Sequence, residues 1–247
     1  MRVYSTLINN YWLNLIMKCV LTKKPKNPTI IQGFPSVGLV STIASKFLID
    51  HLDVEEIGYI ESEHITPLTA IHKSKIVNPI TLFYNKKYNL IIIQSLTDVT
   101  GHEWDLASTI ADLGRDLGAK ELIILESMPP QEGSLDIYYF SNKKKLKLKE
   151  LKEGIVVGTT AALLLKAKEI PVTCLFAEAH SQLPDSEAAA RVVGALNNYL
   201  GMKVDCKPLL EAAKKFEVNL KQYIERAKEN TKLANIKENK EDTDYFG

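Results

Sequence analysis

Short apolar runs alternate with helix-like patterns along most of this chain. Residues 90–94 form a continuous apolar run, which is typical of a central strand covered on both faces. Shorter runs predict further strands at residues 29–33, 56–60, 68–71, 80–84, 121–125, 135–140 and 172–176. The lysine-rich segment 142–153 is predicted to be exposed, either as an edge strand or as a loop.

Apolar residues at helical spacing separate these strands. They predict helices over residues 37–52, 100–117 and 159–167, and a fourth from Pro184 to about Gly201. Gly118 is the predicted C-cap of the second helix. This alternation favours a three-layer α/β/α fold with a mostly parallel sheet. The hairpin-like section in the middle of the chain indicates that the sheet is mixed.

A different pattern begins at Lys207. Apolar residues there follow each other at steps of four and three, which is a heptad seam over about three repeats. The seam contains Leu209, Ala213, Phe216, Leu220 and Tyr223. An amphipathic helix of this kind forms either a coiled-coil-like contact with another chain or a contact with its own domain.

The tail after this helix is polar except at its tip. Every residue from Lys237 to Asp244 is charged or polar, so the tail cannot bury enough apolar surface to offset its ordering entropy and is predicted to be mobile. It closes with Tyr245, Phe246 and Gly247. Two adjacent aromatic rings and a carboxylate on a mobile tether suit a pocket on another protein, although terminal aromatics also occur by chance.

These patterns divide the chain into four parts. Residues 1–16 are an extension that is either non-native or floppy, because asparagines interrupt its apolar run and the first clear strand comes after Met17. Residues 17–204 form the α/β core. Residues 205–232 form the amphipathic helix, and residues 233–247 form the flexible tail.

Composition narrows the classes of function. The chain has 247 residues and a formal net charge of +1, which gives no bulk electrostatic attraction to nucleic acid or to an anionic membrane. Its 3 cysteines are widely spaced and form no CxxC pair. That spacing argues against a disulfide framework or a zinc site and favours a reducing cytoplasm.

A Gly-x4-Gly turn lies between the first predicted strand and helix. A nucleotide-hydrolysing phosphate loop needs lysine and then serine or threonine after its second glycine, whereas Leu39 and Val40 stand there. We favour a structural interpretation, in which the turn lets the helix pack closely on the sheet; an anion at the helix N-terminus is the alternative. The turn contains Gly33, Phe34, Pro35 and Gly38.

Glu126, Glu178 and His180 follow strands, at the edge where open α/β sheets place ligand crevices. A carboxylate and an imidazole there could act as base and acid or could bind a metal. The pair of Glu178 and His180 does not make a metal site by itself, and the sequence contains no HExxH motif. We therefore predict no catalytic residue, no metal and no cofactor, and interpret these side chains as polar groups satisfied by the fold.

Three segments together resemble the archaeal branch of the proteasome assembly chaperone family. They are residues 31–41 (IQGFPSVGLVS), 171–180 (PVTCLFAEAH) and 183–190 (LPDSEAAA). The pattern Gly-Phe-Pro-x-x-Gly-Leu-Val, followed later by Leu-Pro-Asp, is the specific part. The C-terminal helix and tail match as well, so the resemblance covers the chain from about Met17 to its end.

The resemblance implies a phosphorylase/hydrolase-like α/β/α fold, oligomeric assembly and no established catalysis. Members of the family bind proteasome alpha subunits or the alpha ring, some of them through a C-terminal hydrophobic-Tyr-any motif that enters pockets between adjacent alpha subunits. Here Tyr245 stands in the hydrophobic position and Phe246 in the Tyr position. Phenylalanine lacks the hydroxyl, so one hydrogen bond is lost, which is typically worth about 1 kcal/mol.

Three hypotheses of function follow. The first is a non-enzymatic assembly factor that forms a homo-oligomer and docks on the proteasome through its tails. The second is a binder or enzyme for nucleoside-type or phosphate-type small molecules, which would use the Gly33 turn, Glu126 and the pair of Glu178 and His180. The third is a scaffold that binds only a paralogous chain.

Overall fold

The computed structural model describes residues 17–72, 74–131, 135–143, 145–179 and 183–213. The chain divides into two compact units, the first ending at Cys206 and the second beginning at Lys207. Residues 207–213 of the second unit are helical. Within the described ranges, no helix is both long and apolar enough to cross a membrane.

In the described part of the first unit, nine strands form one sheet and two further strands form a separate hairpin. In chain order the strands are β1 (Lys18–Leu21), β2 (Thr29–Gly33), β3 (Glu55–Glu61), β4 (Ala70–His72), β5 (Lys75–Val77), β6 (Ile80–Asn85), β7 (Leu90–Ser95), β8 (Glu121–Met128), β9 (Ile137–Ser141), β10 (Lys149–Glu150) and β11 (Val172–Glu178). Strands β4 and β5 form the hairpin, and the other nine form the main sheet.

The main sheet has the order β1-β3-β6-β7-β2-β8-β11-β9-β10. Its four central strands, β7, β2, β8 and β11, run parallel to one another. Antiparallel pairings lie on both sides of this centre, so that four of the eight pairings between described strands of the main sheet are antiparallel. The prediction of an α/β fold with a mixed sheet is confirmed, and the lysine-rich segment supplies the edge strand β10.

Four α-helices cover the sheet within the described residues. They are α1 (Val40–His51), α2 (Glu103–Asp116), α3 (Gly158–Lys166) and α4 (Ser186–Leu200), and a 3-10 turn over Val37–Leu39 leads into α1. Helix α1 packs with α4, and α2 packs with α3. Successive strand residues point to opposite faces, so Ile30 joins the core beneath α2 and α3 while Ile31 lies on the α1 face.

Two helix ends follow signals that are visible in the sequence, and one does not. Asp185 caps α4 by accepting a hydrogen bond from the backbone N–H of Ala188 at 2.8 Å. Gly118 follows α2 in a left-handed conformation with φ of 62°, as predicted for a C-cap. Helix α2 begins at Glu103 rather than near residue 100, because Asp98 accepts hydrogen bonds from the backbone and the hydroxyl of Thr100 and holds that segment in a turn.

Strands β1 and β5 were not predicted. They have four and three residues, which is too short for a periodic pattern to be visible. Strand β1 is defined by its antiparallel pairing with β3, in which Cys19 lies opposite Ile60. Both strands therefore owe their conformation to a pairing partner rather than to local propensity.

Candidate functional site

Gly33 brings α1 directly against the end of β2. A Cβ atom on Gly33 would stand 2.6 Å from the carbonyl oxygen of Ser41 and 2.6 Å from the Cβ of Ser45, both in α1. Ser41 also fastens the helix to the neighbouring strand, since its hydroxyl donates to the carbonyl of Leu125 at 2.8 Å. The glycine thus serves close packing between helix and sheet.

The chain then turns sharply before α1. Gly38 and the next residue, Leu39, both adopt left-handed conformations, with φ of 66° and 50°. The carbonyl of Gly38 accepts a hydrogen bond from the backbone N–H of Asp185 at 2.9 Å, so the turn is tied to the segment that starts α4. The backbone of Leu39 is in a region that leucine rarely adopts, and its side chain is exposed.

An open cleft lies where β2 and β8 end and where α2 and α3 begin. Its volume is about 170 Å³, and we call it the acidic cleft. Its lining includes three carboxylate residues, Asp98, Glu103 and Glu126, but no lysine, arginine or histidine from the described part of the chain. A concave site with convergent polar groups at the carboxyl edge of parallel strands is the usual place for a ligand in this architecture.

Glu126 is the most enclosed of these carboxylates. One oxygen accepts a hydrogen bond from the hydroxyl of Thr160 at 2.6 Å, and the other accepts from the backbone N–H of Ser127 at 2.9 Å. Burial raises the pKa of the Glu126 carboxyl above its usual range, while these two hydrogen bonds stabilise the carboxylate and oppose part of that rise.

Gln32 also lines the acidic cleft, although it was not predicted as a site residue from the sequence. Its side chain is 2% exposed, and its Oε1 atom is buried without a hydrogen-bond partner. Gln32 lies beside Ile124 of β8, on the sheet face that carries Glu126 two residues further on. The sequence feature that could have identified Gln32 is its single side-chain amide within the apolar stretch of β2.

Glu178 does not line the acidic cleft. It is fully buried, and its two carboxylate oxygens accept hydrogen bonds from the backbone N–H groups of Gln131 and Asp136 at 2.7 and 2.8 Å. Glu178 therefore holds the connection between β8 and β9, in agreement with its interpretation as a satisfied polar group. The structure does not bring it together with Glu126 at one site, and His180 lies outside the described residues.

Two histidines approach each other near the start of α2. The rings of His64 and His102 have centroids 5.9 Å apart, and Nδ1 of His102 lies 3.6 Å from a carboxylate oxygen of Asp105. Over the described ranges, no three residues among histidine, cysteine, aspartate and glutamate are grouped so that they could hold a metal ion.

Most of the predicted partner-binding residues lie outside the described part of the chain. Leu209 and Ala213, the first two residues of the heptad seam, are buried, whereas Leu210 beside them is exposed. Phe216, Leu220 and Tyr223 lie outside the described residues, as do Tyr245, Phe246, Gly247 and residues 1–16. The seam, the tail and the N-terminal extension therefore stay predictions.

The sequence and the fold of this chain both match known proteins. The model of the PAC2 family matches residues 30–224. An uncharacterized protein, MJ0106, of Methanocaldococcus jannaschii is 28% identical over 213 residues, which cover 81% of this chain and 87% of the relative.

Two solved structures from Pyrococcus furiosus have the same architecture. PbaA, an archaeal homologue of proteasome-assembly chaperone, superposes with a TM-score of 0.80 at 28% identity, over 87% of this chain and 94% of PbaA. PbaB, an archaeal proteasome activator, superposes with a TM-score of 0.71 at 22% identity, over 84% of this chain and 98% of PbaB, which shows a shared fold.

Proposed function

The chain belongs to the PAC2 family, and on that premise we propose that it is a non-enzymatic, proteasome assembly chaperone-like protein that binds proteasome alpha subunits or the alpha ring. The likeness to PbaA carries this proposal, because it combines 28% identity with a TM-score of 0.80 over nearly the whole of both chains. The fold and the family resemblance predicted from residues 31–41, 171–180 and 183–190 are confirmed.

The docking element we propose is the C-terminal tail. Tyr245 and Phe246 would enter an apolar pocket on the alpha ring, and the terminal carboxylate would pair with a cation there. One tail binds weakly because ordering its tether opposes the contact. An oligomer that presents several tails gains through effective concentration, so weak single contacts suffice.

The heptad seam supplies the oligomer in this proposal. Leu209, Ala213, Phe216, Leu220 and Tyr223 would join copies of this chain, or this chain and a paralogue, and hold the tails on one side of the assembly. A measurement of the molar mass of the chain alone and with a paralogue distinguishes the two arrangements.

A pull-down with archaeal proteasome alpha rings tests the tail. We expect the intact chain to be retained and a chain ending at Asp244 to be lost, because the truncation removes both aromatic rings and moves the carboxylate. Phe246→Tyr is the matched variant; it restores one hydroxyl, worth about 1 kcal/mol, and should strengthen binding about fivefold per tail. Equal retention of the intact and truncated chains would remove the tail from the mechanism.

The second hypothesis, a site for nucleoside-type or phosphate-type ligands, receives less support from the acidic cleft. Asp98, Glu103 and Glu126 would repel a phosphate, and no cationic side chain from the described residues faces it. Glu178 is committed to backbone N–H groups. A thermal-shift screen with nucleosides, nucleotides and phosphate tests this alternative, and a clear shift that is abolished by Glu126→Gln, which changes a residue of the cleft lining, would restore it.

A further inference from the structure

Gln32, which lines the acidic cleft, carries an acceptor that the protein does not satisfy. The side chain of Gln32 is almost fully buried, and its Oε1 has no hydrogen-bond partner. A buried acceptor without a partner typically costs about 1–3 kcal/mol, so a ligand that donates a hydrogen bond to it gains that amount. The last torsion of a glutamine side chain is soft, which allows the amide to turn its oxygen into the cleft.

The charged residues around the cleft indicate the sign of the charge that the ligand carries. Asp98, Glu103 and Glu126 each engage neighbouring hydroxyl or backbone N–H groups, and each keeps further lone pairs for another donor. The described lining carries no positive side chain that would neutralise them. The amide oxygen lacks a donor and the three carboxylates can accept from another one, so together they favour a positively charged donor.

The shape and the apolar lining restrict the cation further. The cleft is only about 170 Å³, which is small for most cofactors. Phe34, Pro35 and Val157 contribute apolar surface to its lining. A metal ion alone would leave that surface without a contact, and the carboxylates do not form a three-residue cluster suited to a metal within the described residues.

We propose that the acidic cleft binds a primary ammonium group on a short alkyl stem, carried either by a free diamine or by a lysine side chain. An ammonium group has three N–H donors and no acceptor, which matches Gln32 Oε1 and the carboxylates of Glu126 and Glu103. The alkyl stem packs along Phe34 and Pro35 while the charged head reaches the polar base, as lysine stems do on protein surfaces.

Titration of the full chain followed by NMR tests this site. The probes are 1,4-diaminobutane and a lysine derivative blocked at its α-amino and carboxyl groups; butane-1,4-diol and butyrate serve as neutral and anionic controls. We expect saturable shifts of the Gln32 side-chain amide and of the Thr160 backbone with the amines only. Saturation by both amines indicates a site open to free diamines, whereas saturation by the lysine derivative alone indicates a protein side chain as the ligand.

Variants make the assignment specific. Glu126→Gln and Gln32→Met keep the approximate size of the side chain and should each weaken amine binding at least about tenfold. Glu169→Gln changes an exposed carboxylate that does not line the cleft and should leave the affinity unchanged. Circular dichroism confirms that each variant is folded. Equal binding of the diol, no amine binding to the folded wild-type chain, or unchanged affinity in both cleft variants would overturn the proposal.

Discussion

At Gly33 the absence of a side chain determines how closely α1 can approach β2. Gly33→Ala should destabilise the fold by about 1–3 kcal/mol, because the new methyl group would overlap the backbone oxygen of Ser41 and the side chain of Ser45. Thermal unfolding measures the change, at about 2–4 °C for each kcal/mol in a chain of this size.

Gly194 provides the matched control for that substitution. It lies inside α4, and a Cβ atom there would meet nothing within 4 Å. Gly194→Ala should therefore stabilise the protein by about 0.5–1 kcal/mol through the lower entropy of the unfolded chain. Equal effects of the two substitutions would show that the close approach at Gly33 is not maintained in solution.

Glu126 gives a stability effect that depends on pH. Its pKa is raised in the folded protein, so the folded state holds the proton more firmly than the unfolded state does. The resulting penalty is absent below the unfolded pKa, which is about 4.3, and grows as pH rises through the folded pKa. Glu126→Gln removes that penalty and should raise the unfolding temperature at pH 7.

The difference between Glu126→Gln and the wild-type protein should shrink as the pH falls toward 4, and thermal scans across pH 4–8 measure it. Lower stability of Glu126→Gln at pH 7 would instead show that the charge-assisted hydrogen bonds from Thr160 and Ser127 outweigh desolvation.

Single residues also show how far the sequence could predict the site. Glu126 was identified because it follows an apolar run, and position at a strand end is visible in the sequence. Gln32 was missed because what distinguishes it is an amide oxygen without a hydrogen-bond partner. That property depends on its neighbours in the sheet, which include Ile93 and Ile124, and the sequence does not show which residues these are. Glu178 was identified by its position at a strand end, like Glu126. Its hydrogen-bond donors could not be predicted, because they are backbone N–H groups more than forty positions away in the sequence.

Among the elements, those with strong local patterns were predicted and those defined by pairing were not. The central strands contain apolar runs that are too short for a typical buried helix, so β7, β8 and β11 were all predicted. Strand β1 has four residues, and only its pairing with β3 makes it a strand. The predicted start of α2 was too early because Thr100 donates hydrogen bonds to Asp98, and these bonds compete with the helical conformation.

The heptad seam leads to a prediction for the C-terminal helix. Phe216→Ser combined with Leu220→Ser should reduce the molar mass of the assembly measured by light scattering, because each buried apolar side chain contributes about 1.5–3 kcal/mol. Lys215→Ser combined with Gln222→Ser changes positions off the seam and should leave the mass unchanged. If the mass stays constant in the seam variant while its unfolding temperature falls, the helix packs on its own domain instead.

At the scale of the whole molecule, the α/β/α body supports the family assignment and the C-terminal segment supports the proposed proteasome contact. The body, which resembles PbaA over 87% of this chain, places the chain in its family. The proposed proteasome contact depends on the last three residues, where Phe246 replaces the tyrosine of the family motif. In the proposed contact a single tail with that substitution would bind weakly, so several tails would have to act together.

Electron cryomicroscopy of the full chain mixed with an archaeal proteasome alpha ring tests the central claim most directly. The account predicts a complex in which density for Tyr245, Phe246 and Gly247 fills pockets between adjacent alpha subunits, with the Phe246 ring buried. A complex with empty pockets, held by the α/β core alone, would contradict the role of the tail. The absence of any complex would contradict the proposed function itself.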